Sequence, residues 1–419
     1  MEYIAIFHPE GNIANNPHLS ALVRILNTQG YAVDIFSRPR PDIPYQSNGL
    51  FKHIRFFLLP PEYFLCEWVE RYVLVIGVDD GLVYARNQAE LLGVPYAHIS
   101  YELLFDDELA AHPHLRAVKN MTRSATHNIC FAIIQDDVRA ELYMREYKVS
   151  KEKIVIMPVA GADVVKYQKC HYLHSLFKLP PNKKILLHIG SLATWSMTDW
   201  LLAYAHTMPE NWVLVLHGRY GPEKYATEVM PERVYFTEEP AKNFEELQPI
   251  VQSADCCAAL YQPEKYSPYA NKNIQFIGLA SGKFSTALQH GVSVLVRQKS
   301  IMGDLIREYG AGITIDIENG DDLSCLEILN GFDNVHTVCH KLFTEKLSLN
   351  NFTFDLFNRI SRSKTVNLKK GYFTPFNENG ESVILYFINN ADNKHMVKIF
   401  FYMLKAFFFH IMKRIKGFI

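Results

Sequence analysis

Short apolar runs alternate with helically spaced apolar positions from the first residues of the chain. Tyr3–Phe7 is a continuous apolar run that predicts a strand buried on both faces. Leu19, Leu22, Val23 and Leu26 recur at helical spacing, Gly30 stops them, and Ala32–Phe36 begins the next run. The same rhythm predicts strands at Tyr72–Val78, Tyr96–Ile99, Ile129–Ile134 and Ile154–Met157, with helices at Val83–Leu92 and Asp136–Tyr147. Apolar strands separated by helices predict a parallel sheet covered on both faces.

Between Met157 and Lys184 the periodicity lapses; Pro158, Gly161, Pro180, Pro181 and Asn182 mark a linker. A second series follows. Strands are predicted at Ile185–Ile189, Trp212–His217, Val234–Phe236, Cys256–Leu260, Ser293–Val296 and Gly312–Ile315, and helices at Met197–His206, Phe244–Ser253 and Lys283–His290. The expected architecture is α/β: two tandem, doubly wound Rossmann-like domains facing a cleft, at residues 1–165 and 180–345. Sheets of this kind take ligands beyond the carboxyl ends of their strands. Residues 346–363 are expected to close the body as a helix, and 364–419 to form a tail. That tail is rich in Phe and Ile, interrupted by Lys398, Lys405, Lys413, Arg414 and Lys416, and has no acidic residue after Asp392. It suits the surface of an anionic membrane, or a helix packed on the body or on a second copy.

The length, 419 residues, agrees with two or three domains of roughly 150 residues each. Lys plus Arg number 43 against 44 Asp plus Glu, a net charge of −1, which argues against a chain built throughout to bind nucleic acid. Seven cysteines, an odd number with no Cys-x-x-Cys, fit buried thiols in a reducing compartment. The acidic head of the first residues does not read as a secretory signal, and no apolar stretch reaches the ~18–20 residues that span a bilayer. A cytoplasmic protein, peripheral on the inner face of the membrane, is expected.

Absences prune the chemistry. There is no Gly-x-Gly-x-x-Gly after a strand, no Gly-x-Ser-x-Gly, no His-Glu-x-x-His and no Asp-x-Asp. Gly278-Leu-Ala-Ser-Gly-Lys283 falls one residue short of a phosphate loop, and Phe284 stands where Ser or Thr would hold magnesium. The adjacent pairs Asp79-Asp80, Asp106-Asp107, Asp136-Asp137 and Asp321-Asp322 read mainly as caps and turns. The segment Gly278–Val296 reads as a small-residue turn, a two-turn helix stopped by Gly291, and a strand. Its turn presents backbone N–H groups and the positive helix end to a ligand. Lys283 in the first turn opposes the helix dipole, which makes sense where an anion such as a diphosphate sits opposite; otherwise it is a solvated lysine.

From Lys283 the pattern Lys-Φ-x-x-x-Leu-x-x-Gly-Val-x-Val resembles the donor-site helix of GT-B glycosyltransferases, particularly family 4. Pro95–Glu102, Ile134–Arg139 with Lys153–Pro158, Leu187–Ser191 and Val215–Arg219 resemble further units of that family in the same order. The likeness covers roughly residues 1–362. The chain departs from the family at Thr286 and Gly278, where glutamates commonly contact ribose and sugar, and at Gly190-Ser191-Leu192, where Gly-Arg is usual. The resemblance implies transfer of a hexose from a nucleotide diphosphate sugar, retaining and without a metal, to a glycan or lipid-linked acceptor. Donor contacts are expected from Gly190, Ser191, Arg219, Ser281, Gly282, Lys283 and Thr286, and from Tyr261, Asn271 and Asn273 of a Tyr- and Asn-rich loop. Arg219 has Glu223 as an alternative partner, and such a loop also forms simply because it turns. Glu102 and His98 close a strand on the acceptor side as candidate catalytic groups, with Lys283 and Arg219 meeting leaving-group charge. Glu102 alternatively caps a helix dipole, and His98 alternatively satisfies a backbone group. Two other readings remain: a non-catalytic subunit of the same fold, and a nucleotide-sugar epimerase.

Overall fold

Among the described residues seven strands, most of them apolar runs, assemble the first sheet: β1 (Glu2–His8), β2 (Tyr31–Ser37), β3 (His53–Phe56), β4 (Tyr72–Val78), β5 (Tyr96–Ile99), β6 (Ala132–Ile134) and β7 (Ile154–Ile156). The computed structural model describes residues 1–10, 16–37, 50–56, 72–220, 225, 231–237, 239–332 and 334–364. The strands are parallel in the order β3-β2-β1-β4-β5-β6-β7. Helices lie on both faces, and the two cores they make hold Ile4, Ile6, Leu22 and Ile76 on one side and Phe7, Val75, Leu82 and Tyr143 on the other.

The second sheet is built the same way from β8 (Lys184–Ser191), β9 (Trp212–Tyr220), β10 (Val234–Phe236), β11 (Cys256–Ala259), β12 (Ser293–Arg297) and β13 (Gly312–Ile315). Its order is β10-β9-β8-β11-β12-β13, again parallel. Two doubly wound α/β domains are thus present as the alternation of the sequence predicts. The expected linker is not structureless: it carries a helix, Tyr172–Leu176, whose Leu173 enters the second core. The last helix among the described residues, Thr353–Ser363, crosses back, and Leu349, Leu356 and Ile360 complete the first core. β3 and the helices Pro113–Ala125, Ile301–Tyr309 and Val335–Leu342 were not foreseen. From residue 365 onward, the tail expected at 364–419 lies outside the described residues.

Strand order reverses between β1 and β4 in one sheet and between β8 and β11 in the other. At such a reversal the loops leave in opposite directions and open a crevice at the carboxyl end of the sheet. His8, Glu10 and Asp79 border the first crevice, Gly190, Ser191 and Tyr261 the second, and all six line a single inter-domain cleft.

The domains are tied across that cleft by polar groups, most of them buried. Asp136 caps the helix Asp137–Tyr147 with one carboxylate oxygen (2.9 Å to the Arg139 amide) and accepts the Leu279 amide of the other domain with its second, also at 2.9 Å. Arg139, 1% exposed, donates to the carbonyl of Phe276 at 3.0 Å and the side-chain oxygen of Asn273 at 3.1 Å, and to the Tyr101 carbonyl of its own domain. Val159 donates to the Leu279 carbonyl at 2.9 Å, and Lys272 pairs with Asp107. Gly278 makes the closest approach: it has φ +46°, and a Cβ there would sit 2.1 Å from the Asp136 carboxylate. Gly278→Ala therefore strains the backbone and expels Asp136 from the Leu279 amide. Urea unfolding is expected to show a loss of about 2 kcal/mol or more.

Candidate functional site

The cleft encloses about 740 Å³. Its second-domain wall begins with the helix Gly282–Gln289, which Ser281 caps by accepting the Phe284 amide at 3.3 Å. Lys283 follows in the first turn. It is 8% exposed, and its Nζ has no hydrogen-bond partner among the described residues. The ammonium stands 5.5 Å from the ring centre of Tyr261, and its Cε lies 3.4 Å from where a Cβ on Gly190 would be. Gly190, at φ +92°, thus brings bare backbone up to the lysine in a conformation that residues with a side chain rarely adopt. Burial lowers the Lys283 pKa from its usual 10.5 to about 7. A buried, unpaired amine open to a cleft is costly in the empty protein and is relieved by an anion.

Around it the wall is aromatic and apolar. Trp195 and Tyr261 stack with planes 9° apart, while the Tyr261 hydroxyl bonds Ser281 Oγ at 2.7 Å. Burial pushes that phenol up to about 12. Farther along, Pro240, Ala241, Phe244 and Leu247 line the cleft beside His217. His217 accepts the Ala241 amide at Nε2 (3.1 Å), which leaves Nδ1 to donate to the Thr237 hydroxyl at 2.7 Å. Burial holds this imidazole neutral, its pKa lowered to about 4.

The first-domain wall is acidic. Asp79 follows β4 in the left-handed region (φ 50°), and its Oδ1 accepts the amides of Tyr101 at 2.7 Å and Glu102 at 2.9 Å. Burial, then the charges of Glu102 and Glu10, push the Asp79 carboxyl well above the usual range against those two amides. Glu102 is half-buried and accepts from the Asn273 side-chain amide. Burial raises it to about 7; Glu10 adds to the rise, and Arg139 and Asn273 oppose it. Such a carboxylate can take a proton near neutrality.

The expected residues fall into three groups. Gly190, Ser191, Tyr261, Gly282, Lys283, Thr286, Glu102 and Asn273 all line the cleft. Three others are occupied elsewhere. His98 is 1% exposed, with Nδ1 on the Tyr143 hydroxyl (2.7 Å) and Nε2 on the Asp79 carbonyl (3.0 Å), so it braces the Asp79 turn from beneath and has no nitrogen left for a substrate. Ser281 is spent as a cap and Tyr261 partner, and the Asn271 side chain bonds Glu108 of the opposite domain. The third group is Arg219: it ends β9, but its side chain lies outside the described residues, as does Glu223. Asp79, Arg139, Trp195 and His217 are cleft residues that the sequence reading did not select, although Asp79 and His217 stand at strand ends where ligands are taken. Among the described residues no group of three or more His, Cys, Asp or Glu is placed to hold a metal ion.

Because the unfolded chain keeps the Lys283 proton up to about pH 10 and the folded chain releases it near 7, stability rises with pH across that window. Lys283→Met is expected to stabilise the empty protein by on the order of 1–3 kcal/mol below pH 7 and to flatten this rise, read by thermal unfolding from pH 6 to 10.

No protein-family profile matches the chain, and no curated protein matches it in sequence. Solved structures do match along its length. Anabaena HepE in complex with UDP-glucose aligns at TM-score 0.62 and 12% identity, covering 86% of this chain and 100% of that one. Sucrose-phosphate synthase from Thermosynechococcus elongatus aligns at 0.59 and 15% identity over 87% and 100%, and a glycosyltransferase from Rickettsia africae at 0.58 and 10% over 87% and 99%. At such identities the likeness is one of architecture: the chain has the two-domain GT-B fold.

Proposed function

We propose that this protein is a glycosyltransferase that takes a sugar from a nucleotide diphosphate donor. The observation that carries the reading is the buried Lys283 amine, unpartnered among the described residues, opposite Gly190 in a cleft of about 740 Å³. The cleft is large enough for a nucleotide sugar, and a structural neighbour was solved with UDP-glucose. In this reading the diphosphate lies between Lys283, the first amides of the helix Gly282–Gln289 and the Gly190-Ser191 turn. Arg219 is a further candidate from the end of β9. The base lies toward Phe244 and His217, and Thr286 meets the ribose with a hydroxyl.

Transfer breaks the bond from the anomeric carbon to the diphosphate oxygen. The electron pair stays on that oxygen, whose charge Lys283 and the helix end stabilise without a metal. The acceptor hydroxyl forms the new bond and gives up its proton, for which Glu102 is a cleft carboxylate able to titrate near neutrality. We read the transfer as a retaining hexosyl transfer on the family resemblance. The acceptor is read as a glycan or lipid-linked glycan of cell-surface synthesis, met by a protein peripheral on the inner membrane face. Among the described residues no helix is long and apolar enough to cross a membrane.

A second reading, nucleotide or glycan binding without turnover beside an active partner, draws on one observation. The place of one family glutamate, at Gly278, is filled by Asp136 in a purely structural role, and Thr286 supplies no charge.

Thermal shift against UDP, GDP, ADP and CDP is expected to give stabilisation by one of them. Release of that diphosphate from its sugar donor in the presence of acceptor separates turnover from binding alone. Lys283→Ala should weaken the diphosphate about 100-fold, some 2–3 kcal/mol. The bound phosphate keeps Lys283 protonated, so binding takes up a proton above pH 7, and affinity should fall by up to about tenfold per pH unit there. A diphosphate affinity unmoved by Lys283→Ala would refute the reading.

A further inference from the structure

We infer that Asn273, a residue of the second domain, is a positioning residue for Glu102: it carries that side chain across the domain boundary and fixes its carboxylate in the cleft. The inference rests on the transferase reading only where it gives Glu102 a proton to move.

Asn273 sits in the short helix Lys272–Gln275 and is 3% exposed. Every hydrogen-bonding capacity of its amide is used. Its Oδ1 accepts the Leu103 amide at 3.0 Å and an Arg139 guanidinium N–H at 3.1 Å. Its Nδ2 donates to the Glu102 carboxylate and to the Tyr269 carbonyl, the latter at 3.1 Å. Two donors on one side and two acceptors on the other define which end of the amide faces which way, and only a carboxamide satisfies all four. An aspartate would accept but not donate; an aliphatic residue would strand Leu103 and Arg139.

Arg139 fixes the amide in turn. Its Nε donates to Gln135 Oε1 at 2.9 Å and its other N–H groups to the carbonyls of Tyr101 and Phe276, so the guanidinium cannot swing toward Glu102 in place of Asn273. The main chain of Glu102 is anchored separately by Asp79. Removing Asn273 therefore frees the carboxylate while Asp79 still holds the Glu102 amide.

The groups facing Glu102 come from four places. Asp79 follows β4, Glu10 follows β1, Arg139 projects from the helix Asp137–Tyr147, and Asn273 comes from the opposite domain. Burial and Glu10 favour the protonated acid; Arg139 and Asn273 favour the carboxylate. Loss of the Asn273 donor shifts the balance toward the acid. Because that donor belongs to the second domain, the carboxylate acquires its working position and charge only when the two domains are together.

The test uses the full chain labelled with 13C at the glutamate carboxyl carbons, with Glu102→Gln to assign the signal. In Asn273→Ala the Glu102 midpoint should move up by about one pH unit, and in Asn273→Asp further. Asn273→Ser, which keeps one hydroxyl donor in a smaller volume, should fall between Ala and the parent, and it carries the test if Ala fails to fold. With the donor found by thermal shift, kcat should drop tenfold or more at pH 7 with donor KM within threefold, and its acid limb should move with the titration. An unchanged Glu102 midpoint in folded Asn273→Ser and Asn273→Ala, with only a lower melting temperature, would overturn the inference and leave Asn273 a strut. The titration requires no substrate. It thus decides the role of Asn273 even if no nucleoside diphosphate binds, an outcome that would sink the transferase reading alone.

Discussion

The buried contacts of Arg139 and Asp136 with the segment 273–279 set the geometry on which the rest of the molecule depends. Each sheet alone ends in a shallow crevice at its strand-order reversal. Only when the two crevices face one another do an acidic wall and a cationic one share a single cavity. The hydrophobic cores supply the stability of each domain, but they are apolar and non-directional and do not fix how one domain meets the other. Directional bonds from a fully buried guanidinium and a bridging carboxylate do, because leaving any of them unmade would strand a desolvated polar group.

The charge distribution in the cleft follows from this. Lys283 is kept from water by Tyr261 and by the glycine backbone at 190, so its ammonium is destabilised until an anion arrives. On the far side, burial with the charges of Glu102 and Glu10 raises the proton affinity of Asp79, and burial with Glu10 raises that of Glu102. The empty protein thus stores electrostatic cost at both ends of the cleft. Sites that bind and react commonly do so, since groups with poised protonation are the ones that change state when ligand enters.

Most of the fold was legible because parallel strands buried on both faces leave unbroken apolar runs, and β1, β4, β8 and β12 each show one. The strand β3, His53–Phe56, carries His and Arg and has no such run. The helix Pro113–Ala125 hides its apolar stripe of Leu115, Val118 and Met121 among Arg and Lys, and one of those, Lys119, is itself buried between Asp106 and Glu146. At the site, Lys283 stood out because a cation in a helix's first turn contradicts the dipole. His98 misled: a histidine ending a strand looks the same in sequence whether its nitrogens face a substrate or a tyrosine and a carbonyl. Asn273 drew notice as a polar loop residue, but its partners Glu102, Leu103 and Arg139 are more than a hundred positions away, and no local pattern encodes that meeting. Asp79 was read as a turn residue, which it is; that the turn also opens into a cleft is information held by strand order.

The fit of Asp136 against Gly278 has a consequence for how this sequence can change. A carboxylate-bearing side chain at 278 is incompatible with Asp136 at its present place, and a shortened residue at 136 leaves the Leu279 amide and the start of its own helix uncapped. Neither position can drift alone toward a glutamate at 278 without passing through a damaged intermediate. The two sites are therefore coupled across the domain boundary, and a substitution at either acts through the other.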